Sequence, residues 1–443
     1  MSAPFASLDE ALAWLDSHID FESKMPTRRA LPTLERMWEL VHLLGDPQEA
    51  FASVHLTGTN GKGSTAAMVT SLLQSKGLSV GTYTSPNLER VNDRLARGGE
   101  PIDDDRFAEV LDTVARAVSV MAEPPTRFEI LTAAALWWFA DEAVDVAVVE
   151  VGLGGTWDST NVVRADVAVV ANISYDHTEV LGPTLEGIAL DKTGIVKPGS
   201  VAVVGETDPG LVRLIEETAN ERGASQVWVR DREFACTSNR VAVGGRLVDL
   251  RTPGAAYGEV LVPLRGAHQG LNAACAVAAS EAFFSSPLSD EVVEEGLGAV
   301  QVPGRLEVVG RRPLWVVDGA HNVAGMSALA AALQEEFSVD DERWAVIGML
   351  QGRDPLAMLE PLVPAGIHGI VACAPDSPRA LPPEVVAEAA QALGLPVETA
   401  ATVREAVAVA RDQLRPGGMG IVAGSLYVVT DARALLLEGA HQG

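Results

Sequence analysis

Residues 55–65 read HLTGTNGKGST, with Gly58, Gly61 and Gly63 spaced around Lys62 and Ser64 close behind. Glycines let a backbone turn tightly and come close to a ligand. The amides of such a loop, with a helix start behind them, point at an anion. Lys62 can reach outer phosphates as a point charge, and the Ser64 hydroxyl can contact phosphate or metal. The strict phosphate-loop pattern asks for glycine six residues before the lysine, where Leu56 stands. The motif is therefore a shortened variant. The plain alternative is a glycine turn with an exposed lysine. The order of strand, Gly-Lys-Gly-Ser and helix favours the phosphate reading.

Other residues with chemistry to offer follow β-rich runs. Glu150 ends the apolar run 144–151, just before a glycine-rich turn. Open α/β sheets bind ligands beyond such strand ends. A carboxylate buried there is costly unless it is paired or holds a metal. His177, in SYDHTEVLG, follows the run 166–173, and Ser85 follows the run 80–84. Lys192 lies in LEGIALDKTGIVKPG, on a helical stretch, where a surface lysine is the plain reading. Further on, PGRLEVV carries Arg305, and VVDGAHN carries Asp318, His321 and Asn322 on a strand–turn–helix. Asp318 could simply cap the following helix.

The elements that must position these residues alternate between short β-rich runs and helices, which predicts an α/β fold with mainly parallel sheets. The first unit is a strand at 53–57, the loop at 58–63 and a helix over 64–76 closed by Gly77. Weaker β patterns at 226–229, 240–243 and 259–264 suggest an antiparallel extension or edge. Gly298, Pro303 and Gly304 mark a boundary, predicting domains at 1–301 and 302–443. In the second domain, strands are expected at 314–317, 344–347, 369–373 and 420–422. Helices are expected at 326–336, 383–393, 403–414 and 431–437.

Composition bounds the function. With 33 Lys+Arg against 60 Asp+Glu, the formal charge is −27. That field argues against nucleic acid or an anionic membrane as partner, so an anionic ligand needs a local pocket. No run approaches the ~18 apolar residues of a membrane span. Residues 1–16 hold no Lys or Arg and no long apolar core, which argues against a signal peptide. Cys236, Cys275 and Cys373 are far apart and odd in number, and fit a reducing cytoplasm.

Taken together, the blocks GTNGKGS, TSPNLERVNDRL, TRFEILTAAALWWF, EVGLGGTWDSTN, ISYDHTEVLGPTLEGIALDKTGIVKPG, LRGAHQGLNAACA, PGRLEVV, VVDGAHN and GSLYVV resemble the folylpolyglutamate synthase/dihydrofolate synthase family of the Mur ligase superfamily. The resemblance implies an N-terminal P-loop ATPase domain with a parallel sheet and a smaller, Rossmann-like C-terminal domain. It implies ATP held by Thr59, Asn60, Gly61, Lys62, Gly63 and Ser64, with Asn272, Arg305, Asp318 and His321 around the nucleotide. It implies magnesium on Ser85, Glu150 and His177, and a carbamylated Lys192, an anion able to support a metal. Lys62, Lys192 and His177 would then be the catalytic set. Residues matching Thr126, Phe128 and Asp158 line a dihydropteroate pocket in family members that make dihydrofolate. PTLERMWEL, at 32–40, resembles an early segment of the family.

The implied reaction joins L-glutamate to a dihydropteroate or folate carboxylate through an acyl phosphate. A cleft closing between two domains would exclude water. The expected enzyme is a cytoplasmic monomer with small-molecule substrates only. Alternatives are another Mur-type amino-acid ligase or a P-loop phosphotransferase. Two departures stand out. Thr156 and Trp157 follow GLGG where the family commonly has arginine, and IGMLQGRD replaces an Asp-Lys-Asp run while keeping Asp354.

Overall fold

The computed structural model describes residues 5–22, 33–339 and 341–440. Pro32 of the early segment, and residues 1–4 of the leading stretch, lie outside the described residues. The chain forms two compact units. The first comprises Met1–Ser238, Val248–Val262 and Gly270–Val300. The second takes Gln301–Gly443 together with two earlier pieces, Asn239–Leu247 and Pro263–Gln269. No shift in composition marks those two pieces, because their assignment depends on contacts remote in sequence.

Eight strands build the main sheet of the first unit. They are β1 (Ala52–Thr57), β2 (Val80–Tyr83), β3 (Leu95–Arg97), β4 (Glu100–Pro101), β5 (Val146–Glu150), β6 (Val167–Val170), β7 (Val201–Val204) and β8 (Gln226–Val229). Their order is β4-β3-β2-β5-β1-β6-β7-β8. From β2 to β8 all neighbours are parallel, and only the β2–β3 and β3–β4 pairs are antiparallel. The VAVVE and VAVV runs of β5 and β6 are buried at every position. Parallel strands covered on both faces require such continuous apolar runs. One side buries Phe107, Leu136 and Phe139 from the helices Asp104–Val118 and Arg127–Asp141 against Ala147 and Val149. Elsewhere, Ile188, Leu211 and Ile215 pack with Val170 and Val204.

Parallel order has a direct consequence for function. The C-terminal ends of β1, β2, β5 and β6 share one edge, so Gly58, Ser85, Glu150 and the 171–177 segment emerge there together. The segment 226–229, expected in an antiparallel extension or edge, is an edge strand, but a parallel one. It pairs parallel with β7 as the last strand of the main sheet. Its half-exposed edge position dilutes the apolar pattern that marks the central strands. The remaining weak patterns form a separate sheet of β9 (Ala235–Ala242), β10 (Gly245–Arg251) and β11 (Ala256–Val262), in order β11-β10-β9.

The second unit carries β12 (Glu307–Arg311), β13 (Leu314–Val317), β14 (Arg343–Ile347), β15 (Gly369–Cys373), β16 (Val397–Ala400) and β17 (Met419–Ala423). They run in order β12-β13-β17-β14-β15-β16, parallel apart from the β12–β13 pair. Both units are thus α/β, each with a mainly parallel sheet. Among the described residues, no helix is long and apolar enough to cross a membrane.

Candidate active site

The phosphate-type loop leaves β1 and enters the helix Lys62–Ser75, which begins two residues earlier than the sequence pattern suggested. Gly61 is the N-cap residue at φ +80°, a left-handed conformation that favours glycine. A Cβ there would lie 2.6 Å from Asn272 Oδ1, so Asn272 packs directly on the loop. No side chain caps this helix start. Its first-turn amides therefore face the requirement that every helix N-terminus has for acceptors. Thr59 and Asn60 are placed differently. Thr59 Oγ1 donates to Ser174 O at 3.0 Å, and the Asn60 amide donates to Asn172 Oδ1 at 3.0 Å. Asn172 Nδ2 in turn donates to Asn60 O at 2.8 Å. These two residues brace the loop against the segment after β6. Asn172 was not singled out from sequence, although its place just after a parallel strand end was the available signal.

Two lysine side chains meet beside this loop. Lys62 Nζ donates to Gly58 O at 3.0 Å and to Thr59 O at 3.4 Å, while Lys192 Nζ donates to the same Gly58 O at 2.9 Å. Lys192, on the helix Leu185–Thr193, is buried, so the surface-lysine reading is excluded. Burial first, and then repulsion from Lys62, push the Lys192 amine down to about 7. Asp176, Asp191 and Asp158 oppose that shift. Asp176 is itself buried and is a further site residue that the motif contained but the sequence reading left unassigned.

Glu150 and Ser85 stand on neighbouring strand ends. The Ser85 amide donates to Glu150 Oε2 at 3.3 Å, and a Cβ on Gly63 would lie 3.5 Å from that oxygen. The carboxylate thus sits between the second strand end and the loop. Ser85 Oγ is buried without a hydrogen-bond partner. A buried, unsatisfied hydroxyl oxygen beside a carboxylate is a donor set that suits a hard divalent cation. His177 sits past β6 at φ +48°, left-handed for a residue with a side chain. Its Nε2 is 3.6 Å from Asp176 Oδ1. Among the described residues, no three His, Cys, Asp or Glu side chains form a ready cation cluster. A magnesium site built from one carboxylate, a hydroxyl and waters does not need one.

The three residues expected at the pterin side have clear local duties. Thr126 is the N-cap of Arg127–Asp141, accepting from the Glu129 amide while Glu129 reaches back to the Thr126 amide. The T-x-x-E spacing is a capping box that the sequence analysis passed over. The Phe128 ring lies against Gly152, where a Cβ would come within 2.5 Å of its Cζ, and 6.1 Å from the Tyr83 ring. Asp158 is buried, and its oxygens accept from Leu153 N at 2.9 Å and Thr160 N at 3.0 Å. Burial pushes its carboxyl up, and these hydrogen bonds pull it back.

In the second unit, Arg305 Nη1 donates to Gly304 O at 3.2 Å and lies against Gly319. Asp318 Oδ1 accepts from Ala320 N and Oδ2 from Leu306 N, at 2.8 and 2.9 Å. The helix Val323–Glu336 is capped by Asn322 instead, so the capping alternative for Asp318 does not hold. His321 Nδ1 donates to Gly319 O at 2.8 Å. Arg305, Asp318 and His321 therefore share one braced turn, with Leu306 held at φ +43°. Ser425 Oγ accepts from Val428 N, and Asp354 caps Pro355–Leu359.

Comparison with known proteins gives this geometry its relatives. The family model for the Mur ligase middle domain matches residues 56–280, and that for the Mur ligase glutamate ligase domain matches residues 304–426. The dihydrofolate synthase/folylpolyglutamate synthase of Mycobacterium tuberculosis is 38% identical over 427 residues, covering 91% of this chain and 87% of its own. The chain belongs to the folylpolyglutamate synthase/dihydrofolate synthase family.

Solved structures of this family superpose closely. M. tuberculosis folylpolyglutamate synthase complexed with ADP matches at TM-score 0.90 and 36% identity, covering 97% of this chain and 98% of that one. A bifunctional folylpolyglutamate synthase/dihydrofolate synthase with Mn, AMPPNP and L-glutamate bound matches at TM-score 0.85 and 28% identity, covering 98% and 99%. Within the family frame, the Thr156–Trp157 departure has a local account. Thr156 Oγ1 donates to Asp191 O at 2.9 Å, and Trp157 packs on the Leu181–Ile188 cluster. Asp191 Oδ2 is buried without a partner, and burial pushes that carboxyl up to about 6 against the pull of Lys192.

Proposed function

We propose that this chain uses ATP to join L-glutamate to the carboxylate of a pterin acceptor: dihydropteroate, a folate, or both. The observation that carries the proposal is the convergence of Lys62 and Lys192 on Gly58 O, beside an uncapped helix start and the Glu150–Ser85 oxygen pair. A lysine beside an uncapped helix start calls for an anion, and a triphosphate supplies it. Lys62 exchanges its carbonyl partners for phosphate oxygens, which form stronger, charge-assisted bonds. The first-turn amides of Gly61, Lys62, Gly63 and Ser64 hold the phosphates, while Thr59 and Asn60 keep the loop in shape. Asn272 supports the loop from the side. Arg305, Asp318 and His321 contribute contacts to the nucleotide from the C-terminal domain, with 1–301 and 302–443 as the working halves.

Ser85, Glu150 and His177 would hold Mg²⁺. When bound, the ion neutralises phosphate charge during transfer. An acceptor carboxylate oxygen attacks the γ-phosphorus and ADP leaves, giving an acyl phosphate. The glutamate amine then attacks the carbonyl carbon, loses a proton and expels phosphate. Lys62 stabilises the negative charge that develops in the first step. Lys192 is carbamylated: its free amine, favoured by the buried site, adds CO₂ and loses a proton, which leaves an anion beside Lys62. Phe128 offers a ring face to the pterin, flanked by Thr126 and Asp158. The strongly acidic chain works as a cytoplasmic monomer without nucleic-acid or membrane partners.

The test incubates the protein with ATP, Mg²⁺ and either dihydropteroate or tetrahydrofolate, with and without glutamate. Glutamate-dependent phosphate release, with a product heavier by one glutamyl unit, is expected. Phosphate release indifferent to both substrates contradicts the reading. Transfer of phosphate to a hydroxyl acceptor without glutamate would mark a phosphotransferase.

A further inference from the structure

One buried histidine has no part in the chemistry above. His55 lies within β1 and is fully buried. Its Nε2 is 2.9 Å from Thr160 Oγ1. Thr160 Oγ1 donates to Asp158 Oδ1, which also accepts from the Thr160 amide at 3.0 Å. The other oxygen of Asp158 accepts from Leu153 N at 2.9 Å. Two positions along the same strand, and so on the same face of it, Thr57 Oγ1 donates to Gly154 O at 2.7 Å. Strand β1 therefore grips the 152–154 turn twice, once directly and once through a chain of three side chains. That turn begins two residues after Glu150, and the Phe128 ring rests on its first glycine.

The direction of the chain can be worked out. The single hydroxyl proton of Thr160 goes to Asp158, so His55 must donate from Nε2. Its Nδ1 is then a bare lone pair. That atom is indeed buried without a partner. An unmatched N–H in the same place would leave a strong donor unsatisfied. Burial, and then Lys197, push the imidazole down to about 3, so the ring stays neutral and keeps this donor pattern.

We infer that His55 is a positioning residue for the acceptor pocket: through Thr160 and Asp158 it sets the 152–154 turn against which Phe128 holds the pterin. The inference rests on the acceptor assignment proposed above. It also explains why Asp158 has one oxygen engaged by the turn, at Leu153 N, and the other by Thr160. In this arrangement Asp158 shapes the pocket wall, and His55 fixes Asp158.

The test uses the full chain with His55→Leu, His55→Gln and Thr160→Val. Glutamine can place an N–H near the position of Nε2, and valine is nearly isosteric with threonine. Two readouts are taken. Amide hydrogen exchange across residues 151–155, without substrate, is measured by mass spectrometry. KM values for dihydropteroate and for ATP are measured separately. Loss of one net hydrogen bond corresponds to about tenfold in an equilibrium. His55→Leu and Thr160→Val should each speed exchange in that segment by about that factor, and raise the dihydropteroate KM by about tenfold while leaving the ATP KM in place. His55→Gln should restore both. Wild-type exchange in His55→Leu and Thr160→Val, or an equal rise in both KM values, overturns the inference. If wild-type protein consumes neither dihydropteroate nor tetrahydrofolate, the proposed function falls, and the exchange data still decide the positioning role. Should His55→Leu not fold, Thr160→Val carries the test alone.

Discussion

The nucleotide edge and the acceptor side of the first unit differ in what their polar groups already do. At the nucleotide edge, Ser85 Oγ is buried with no partner, the helix start at Gly61 is uncapped, and two lysines crowd one carbonyl. On the acceptor side, Thr126 closes a capping box and Asp158 accepts from several donors of its own loop. The first region is incomplete without a ligand. In the second the Thr126 and Asp158 oxygens are already engaged, so its cap and carboxylate are complete, and it offers a shaped wall and a ring. An unsatisfied buried oxygen beside a carboxylate points to a ligand, whereas cap and carboxylate oxygens that are already bonded point to positioning. Family motifs include residues of both kinds and do not distinguish them.

The largest expected effect lies at the incomplete edge. Lys62→Ala should lower turnover by on the order of a thousandfold, as loss of a preorganised charge does, with an unchanged circular dichroism spectrum. Retained turnover would remove the phosphate role. Glu150→Gln comes next. It should raise the Mg²⁺ concentration for half-maximal rate by on the order of tenfold or more. A metal titration checks this, and an unaltered midpoint would exclude Glu150 as a ligand.

The lysine pair gives a pH prediction. With its amine pushed down to about 7 from 10.5, Lys192 is an ammonium below about 7 and a free amine above it. Only the free amine adds CO₂, so a ¹³C carbamate signal at Lys192 should appear as pH rises through about 7. Lys62→Met removes the repulsion and should move the midpoint upward. A signal with an unmoved midpoint would separate the two lysines. The smallest effect belongs to the complete side. Thr126→Ala should cost about 1 kcal/mol of stability in denaturant unfolding, and Thr126→Ser should recover it. Unchanged stability with a raised dihydropteroate KM would erase the contrast between the regions.

Much of this was legible in the sequence, for physical reasons that differ by element. The central strands were readable because parallel, doubly covered strands must be apolar throughout, as in 146–150 and 167–170. The phosphate loop was readable because its glycines have few other uses in that order. The strand Gln226–Val229 was legible as an edge but not as a parallel one, because only Val229 of its four side chains is buried and the apolar pattern is weak. The assignment of 239–247 and 263–269 to the second unit left no local trace. Contact partners such as Asn172 for Asn60, or Thr160 for His55, are set by tertiary register across 105 residues or more, which spacing alone does not encode.

The central claim is that a carboxylate is activated by phosphoryl transfer at this edge. It is tested most directly with dihydropteroate carrying oxygen-18 in its carboxylate, together with ATP, Mg²⁺ and glutamate. Mass analysis of the released phosphate should find one labelled oxygen for each amide formed. Amide formation with unlabelled phosphate, or phosphate release without amide, would contradict the account.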